Sequence, residues 1–504
     1  MLSAKYQSLS VLVFHIEKMW CLLIILFALV GTNKTDYIAA VVEHQPEISG
    51  YRTLKDNMRY YSAQILNACR EYQAQIIVFP EYGLTGFVED PTNYAFELPE
   101  VGEKLTFSKR FLPLYKLVQS AWCGIYVVLN VLEKTTATNK KTIYYNTNIV
   151  FNQNSTVVAK YRKVNLYEEP NLTSGDPSQN NATFTTDFGV TFGMFIGFDM
   201  LFYNPSRRIL DDNASVTDVI ISSAWLSTFP FFHSLSFHNG YALANKVNLL
   251  VATNHNFTGG IGGSGIYGSD GTVFSYYISE DVEKWNGKVL ISAVGNTAKS
   301  ITSQVSEISS HDPQTTDKKL NSYQAVTYFD SNHYTFKTLD LTQRNISERI
   351  CAGSFCCTFE IIPSSINIFE VYKLMAHTGS YELGKYTQKN MKICSLLACE
   401  TSDSSTCGTT IVTMDSKFRS ISIKIDSEEV TSSFYQPVTL SSGLIPVFNT
   451  TYQESVVNVS RSILFTTNKP QEKVSVFGIY GVSGNTVNTS LTILIVLMAT
   501  MCLV

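Results

Sequence analysis

The sequence predicts an α/β domain followed by a smaller β-rich domain that carries disulfides. Three observations lead there. From Tyr37 to Val294, short apolar runs alternate with stretches of helical periodicity, as in a sheet with helices packed outside it. Beyond Tyr323 the spacing shortens to that of strands. Six cysteines then crowd between Cys351 and Cys407. At 504 residues the chain is too long for one ordinary core, and the polar, Ser/Thr-rich stretch 300–323 reads as a linker. The domains are therefore read as 32–299 and 324–482.

Tyr37–Val42 is a short apolar strand. From Leu54 to Ala74 a helix is expected, because Leu54, Met58, Tyr61, Ile65 and Ala68 recur every three or four residues. IIVF (76–79) and Gly124–Glu133 read as buried strands. Residues 142–163 read as a hairpin turning at Asn152–Asn154. The strand VTFGMFIG (190–197), a helix-like DMLFYNP (199–205), the strand 216–225, a helix near Phe232–Ala244 and the strand 247–253 complete the first domain. In the second, Thr335–Leu341, Thr409–Met414, Ser420–Ile425 and Val474–Tyr480 alternate like strands.

The termini point outside the cell. A basic start, an apolar run from Trp20 to Val30 and then Gly31 read as a signal peptide (1–31), beginning at Met1 or Met19. The apolar tail Leu491–Val504 behind small residues reads as a GPI-attachment signal (483–504), with Ser483, Gly484 or Asn485 as the attached residue. Ten sequons fit this route: Asn33, Asn154, Asn171, Asn181, Asn213, Asn256, Asn345, Asn449, Asn458 and Asn488. The expected location is the outer face of the plasma membrane, or the medium if the anchor signal is unused. Cys21 and Cys502 lie in segments expected to be removed. Cys69 and Cys123 read as paired or buried, and the later six as a disulfide framework whose pairing spacing alone leaves open. No histidine interleaves with those six at zinc-ligand spacing, so no metal is assigned. A net charge of −4 without a long basic run argues against a nucleic-acid partner.

Amide hydrolysis needs a nucleophile, a base and a group that holds the oxyanion. Glu81, at the end of a strand in QIIVFPEYGLTGF (75–87), is placed to be the base. Lys163 in KYRKVNLY (160–167) could hold the oxyanion. The strand-to-helix turn Gly197-Phe198-Asp199 should carry the nucleophile, and Gly197 has no side chain. Taken alone, Glu81 reads equally as a turn cap and Lys163 as an exposed strand-end lysine. Asp199 reads as a helix N-cap. His233, His238 and His255 read as structural or pocket-lining groups. Trp225 and Phe229 could line a pocket, and Ser222 and Ser223 could approach it.

These segments resemble the carbon–nitrogen hydrolase (nitrilase) superfamily, in its vanin/biotinidase branch. Further matches are SSAWLSTFPFF (222–232), FHNGYALANKVNLLVATNH (237–255), GGSGIYGSDG (262–271) and KICSLLACETSDSSTCG (392–408). The resemblance implies an α-β-β-α sandwich followed by a β-rich domain, with a Glu–Lys–Cys triad acting on amides such as pantetheine or biocytin. Glu81 then matches the base, Lys163 the lysine, and Glu168 or Glu169 an auxiliary glutamate. The cysteine maps to Gly197. The implied protein is an amidase scaffold with impaired catalysis that binds a pantetheine- or biotin-related amide. The alternative is a working amidase using a Glu81-activated water or another nucleophile. No cofactor is implied.

Overall fold

A computed structural model of the chain describes residues 36–483, apart from 49, 109–110, 179–181, 257–258, 278–286, 296–325, 328–333, 384–385, 409–413, 430–432 and 459. The segments read as signal peptide and linker, the expected tail beyond Ser483, the sequons Asn33, Asn181 and Asn488, and most of the strand expected at Thr409–Met414 therefore lie outside the described residues.

Two six-stranded sheets stack face to face. The first contains β1 (Tyr37–Glu43), β2 (Ile76–Val78), β3 (Tyr126–Thr136), β4 (Thr142–Phe151), β5 (Val157–Arg162) and β13 (Lys288–Val294), in the order β13-β1-β2-β3-β4-β5. The second contains β6 (Thr183–Thr185), β7 (Thr191–Ile196), β8 (Asp218–Ser223), β10 (Asn248–Thr253), β11 (Ser264–Tyr267) and β12 (Val273–Tyr277), in the order β12-β11-β10-β8-β7-β6. The centre of each is parallel, β1-β2-β3 and β7-β8-β10. Strand alternation divides the side chains between two cores. Val41, Val78 and Val128 enter the core shared with Met194 of the second sheet. Their neighbours Val42, Ile77 and Val127 pack on the helices α1 (Thr53–Arg70) and α2 (Leu112–Val118). On the far side, Phe195 meets Tyr241 of α4 (Ser234–Asn245), with ring centroids 5.7 Å apart. The layers run α-β-β-α, as the resemblance implied.

Helix α1 buries Asn57, Tyr61, Ile65 and Ala68 at helical spacing, but it stops at Arg70, short of Ala74. Gln73 adopts a left-handed φ of 54°, which a helix cannot continue through. Nor does 199–205 form a single helix. A 3₁₀ turn over Gly197–Leu201 is followed by a break at Asn204, the residue before Pro205, whose backbone is extended. The short α3 (Arg208–Asp212) comes only after it.

The second half is a β-sandwich. One sheet holds β15 (Thr335–Thr338), β18 (Val371–Leu383), β19 (Tyr386–Cys399), β25 (Val474–Ser483) and β21 (Ser433–Ser441). The other holds β16 (Ile346–Ala352), β17 (Phe355–Ser365), β20 (Lys417–Glu429), β22 (Thr450–Val457), β23 (Ser460–Thr467) and the short β24 (Gln471–Glu472). The strand expected over Thr335–Leu341 thus ends at Thr338, where Leu339 and Leu341 turn into the core between the two sheets. Cys351 and Cys356 face each other across the β16–β17 hairpin and are bonded. Cys357–Cys394 joins β17 to β19, one strand from each sheet. Cys399–Cys407 closes the turn after β19, and Cys69–Cys123 ties the end of α1 to the entry of β3.

The sandwich lies directly against α4. A Cβ on Gly240 would stand 1.9 Å from the Pro437 carbonyl oxygen of β21, so only glycine permits this approach. Gln436 Nε2 donates to the Phe237 carbonyl at 3.2 Å across the same contact. A short pair, β9 (Thr228–Phe229) with β14 (Val326–Thr327), adds a second link.

Three buried histidines stay neutral in this fold. Burial lowers His44 to about 4, and lowers both His233 and His238 to about 3, from the ordinary 6.5. The unfolded chain takes up protons on all three below pH 6.5 while the native chain does not, so stability is lost as pH falls from 6.5 toward 4. The expected slope reaches about 4 kcal/mol per pH unit. Urea midpoints measured across that window test this, and a flat profile would refute it.

Candidate active site

The C-terminal ends of β2, β5, β7 and β8 converge, the edge where open α/β sheets place their ligands. Glu81 follows β2 in a turn closed by Gly83 N–H to Pro80 O and Gly86 N–H to Tyr82 O, at 3.3 and 2.7 Å. Lys163 is the first residue after β5, and its N–H donates to Asn146 O at 2.8 Å. Gly197 is the first residue after β7.

Lys163 Nζ lies 2.7 Å from Glu81 Oε1 and 2.9 Å from Glu169 Oε2. All three side chains are buried. Asn146 Nδ2 donates to both carboxylates, at 2.8 Å to Glu81 and 3.0 Å to Glu169. Ala224 N–H donates to Glu81 Oε2 at 3.0 Å, and the Tyr82 hydroxyl donates to Glu169. The structure thus separates Glu169, inside the cluster, from Glu168, which is exposed along the pocket wall.

One ammonium cannot balance two buried carboxylates. Burial pushes the Glu81 carboxyl above the usual range, against the pull of Lys163. Burial opposes ionisation of Glu169 as well, but the Lys163 charge and the hydrogen bonds from Tyr82, Asn146 and Lys163 outweigh it and hold Glu169 low. Lys163 is disfavoured by burial too, yet the two carboxylates raise its pKa, so it stays charged. Glu81 is thus the carboxyl of the pair whose protonated form the site favours relative to an ordinary carboxylate. Two of the three Lys163 donors are directed at these carboxylates.

The turn at 197 begins with a residue that has no side chain. Gly197 has φ +38°. A Cβ placed there would stand 2.6 Å from Glu81 Oε2 and 3.4 Å from Ser223 Oγ. Asp199 is not the N-cap; that position belongs to Ile196, whose N–H donates to Asp199 at 3.4 Å. Asp199 accepts from the Tyr161 hydroxyl at 2.7 Å and the Asn165 N–H at 2.7 Å, which ties this turn to the segment bearing Lys163.

A cavity of about 420 Å³ opens over these groups. Its walls include Tyr82, Tyr167, Phe198 and Trp225, together with Leu383 from β18 of the second sandwich. Trp225 and His255 therefore line it. Phe229 instead stacks on His233 in the core, with centroids 6.1 Å apart. His255 Nδ1 is 2.8 Å from Glu43 Oε1. Among the described residues no group of three or more His, Cys, Asp or Glu is placed to hold a metal ion.

Sequence reasoning missed Tyr82, Asn130 and Asn146. Asn130 Nδ2 donates to Asn146 Oδ1 at 2.7 Å and thereby aims the Asn146 amide at the carboxylates. The available signal was asparagine recurring inside apolar strands, an expensive residue to bury without a partner.

Replacing Lys163 by Met would leave two buried carboxylates without their counter-charge. The expected loss is about 3–5 kcal/mol, read as a drop in the urea midpoint, and an unshifted midpoint would refute the clamp. Gly197→Ala meets both the left-handed backbone and the Glu81 carboxylate, for an expected loss of about 1–3 kcal/mol. A stable alanine variant would mean that the turn does not have this geometry.

Comparison with known proteins agrees with this architecture. Residues 38–298 match the carbon–nitrogen hydrolase family and residues 324–486 match the vanin C-terminal domain. Vanin-like protein 1 of Drosophila melanogaster is 29% identical over 447 residues, covering 82% of this chain and 78% of that protein. The pantetheinase of Canis lupus familiaris is 28% identical, covering 78% of this chain and 79% of its own. The biotinidase of Takifugu rubripes is 27% identical, covering 84% and 90%. With the layered sheets, the attached β-sandwich and both sequence matches in one polypeptide, the chain belongs to the carbon–nitrogen hydrolase family, in the branch that contains vanins, pantetheinases and biotinidases.

Proposed function

We propose that this protein binds a linear, pantetheine- or biocytin-like amide in the cavity over Glu81 and Lys163, and that Gly197 leaves its hydrolysis impaired. The carrying observation is the 2.6 Å separation between Glu81 Oε2 and the point where a residue-197 Cβ would stand. It supports equating Gly197 with the nucleophile position, because the base and the turn meet at that point and Lys163 is paired with the same carboxylate. The catalytic groups are Glu81 as base and Lys163 as oxyanion donor, with Glu169 orienting the lysine. The relatives named for pantetheine and biotin suggest the ligand class.

The same reading places the protein outside the cell, GPI-anchored through Ser483, Gly484 or Asn485. Its support is the sequence at both ends and the exposure of Asn154, Asn171, Asn256, Asn345, Asn449 and Asn458. Asn213 is half-buried. Among the described residues no helix is long and apolar enough to cross a membrane. A second reading, a working amidase with a Glu81-activated water, draws on the intact Glu81, Lys163 and Glu169. Unchanged turnover in Glu81→Gln would count against it.

Pantetheine or biocytin is expected to raise the melting temperature of the purified protein. Turnover is expected to fall short of a thiol-bearing site by a factor on the order of 10³ or more. Protection by neither compound, or turnover at ordinary enzymatic rates, would overturn the proposal. Gly197→Cys is expected to raise turnover. A folded but inert Cys variant would mean that Glu81 has settled permanently into the place of the lost side chain.

A further inference from the structure

Ser223 and Ser222 end β8, and strand alternation sends them to opposite faces. Ser223 alone of the two lines the cavity. Its Oγ is fully buried and finds no hydrogen-bond partner among the described residues, which is unusual for a buried hydroxyl. It stands 3.4 Å from the point where a residue-197 Cβ would be, and Glu81 Oε2 stands 2.6 Å from that same point. A side chain at 197 would stand against Oγ, and Gly197 has none. The neighbouring Ala224 N–H already holds Glu81 Oε2 at 3.0 Å, so base and hydroxyl are fixed on one short stretch of backbone.

We propose that Ser223 is the nucleophile for the residual acyl transfer at this site. This rests on the assignment of Glu81 and Lys163 as base and oxyanion donor. The Ser223 hydroxyl gives its proton to Glu81 as Oγ bonds to the carbonyl carbon of an amide or ester. The oxyanion is held by the third N–H of Lys163. Collapse breaks the bond to the leaving nitrogen or oxygen, which takes the proton back from Glu81. The acyl group remains on Ser223 as an ester. Water then attacks that ester, losing a proton to Glu81, and Glu81 returns the proton to Oγ as the acid departs. A hydroxyl is a far weaker nucleophile at neutral pH than a thiol, so slow turnover is inherent in the arrangement.

The test uses the purified protein with p-nitrophenyl acetate, following nitrophenol release, intact mass and the acetylated peptide. Acetylation of Ser223 is expected, absent in Ser223→Ala, retained in Ser222→Ala and slowed about a hundredfold in Glu81→Gln. Ser223→Cys should acetylate faster, which separates a chemical role from a merely structural one. Nitrophenol release unchanged in Ser223→Ala, or acetyl groups only at other residues, would overturn the assignment in favour of a bound water. A protein that pantetheine or biocytin protects but that neither acetylates nor turns over would overturn Ser223 while leaving amide binding intact. Acetylation of Ser223 without protection by either compound would keep Ser223 and remove the proposed ligand.

Discussion

A lysine ammonium held between two carboxylates, in a place nearly closed to water, sets the conditions for the groups around it. Desolvating three charges costs several kcal/mol for each ion, so the cluster persists only if its remaining hydrogen-bonding capacity is satisfied. Asn146 supplies both carboxylates, Tyr82 supplies Glu169, and Ala224 N–H supplies Glu81. This explains the polar line Asn146–Asn130–Asn148 through otherwise apolar strands. The charge imbalance shows in the two carboxyls: burial pushes Glu81 above its ordinary range, while Lys163 and the hydrogen bonds hold Glu169 below its own.

The turn at residue 197 keeps its shape by means independent of any nucleophile. Asp199 is fully buried and accepts from Ile196, Tyr161 and Asn165. Those bonds fix where the chain leaves β7 whether or not a side chain projects from it. The shape of the turn is therefore no measure of its chemistry. The more informative quantity is how near Glu81 stands to residue 197.

The β-sandwich also shapes the cavity. Leu383 forms part of the wall, and Tyr386 packs edge-on against Phe198 and Phe202, with centroids 4.9 and 5.5 Å away. The Gly240–Pro437 contact presses β21 onto α4, the outer helix of the second sheet. A change in the sandwich can thus reach Phe198, the residue after Gly197, through packed rings.

The order of strands and helices was legible because apolar periodicity depends on nearest neighbours. Glu81, Lys163 and Gly197 were singled out through the resemblance of their local runs to a known family, because strand-end position alone left Glu81 and Lys163 open. The errors were local too: α1 ended at Arg70, ahead of the left-handed Gln73, and Pro205 broke the expected helix. The cysteines announced a disulfide framework, but their pairing depended on register, with Cys351 opposite Cys356, and on two sheets meeting at Cys357 and Cys394. Glu168 and Glu169 are adjacent in sequence, and a left-handed φ of 52° at Glu168 helps turn one outward and the other to Lys163. Ser223 shows the same limit. The chain by itself determined which groups sit at strand ends; only the stacking of two sheets decided which approach one another, because a distance of three ångströms between residues far apart in sequence leaves no trace in local periodicity.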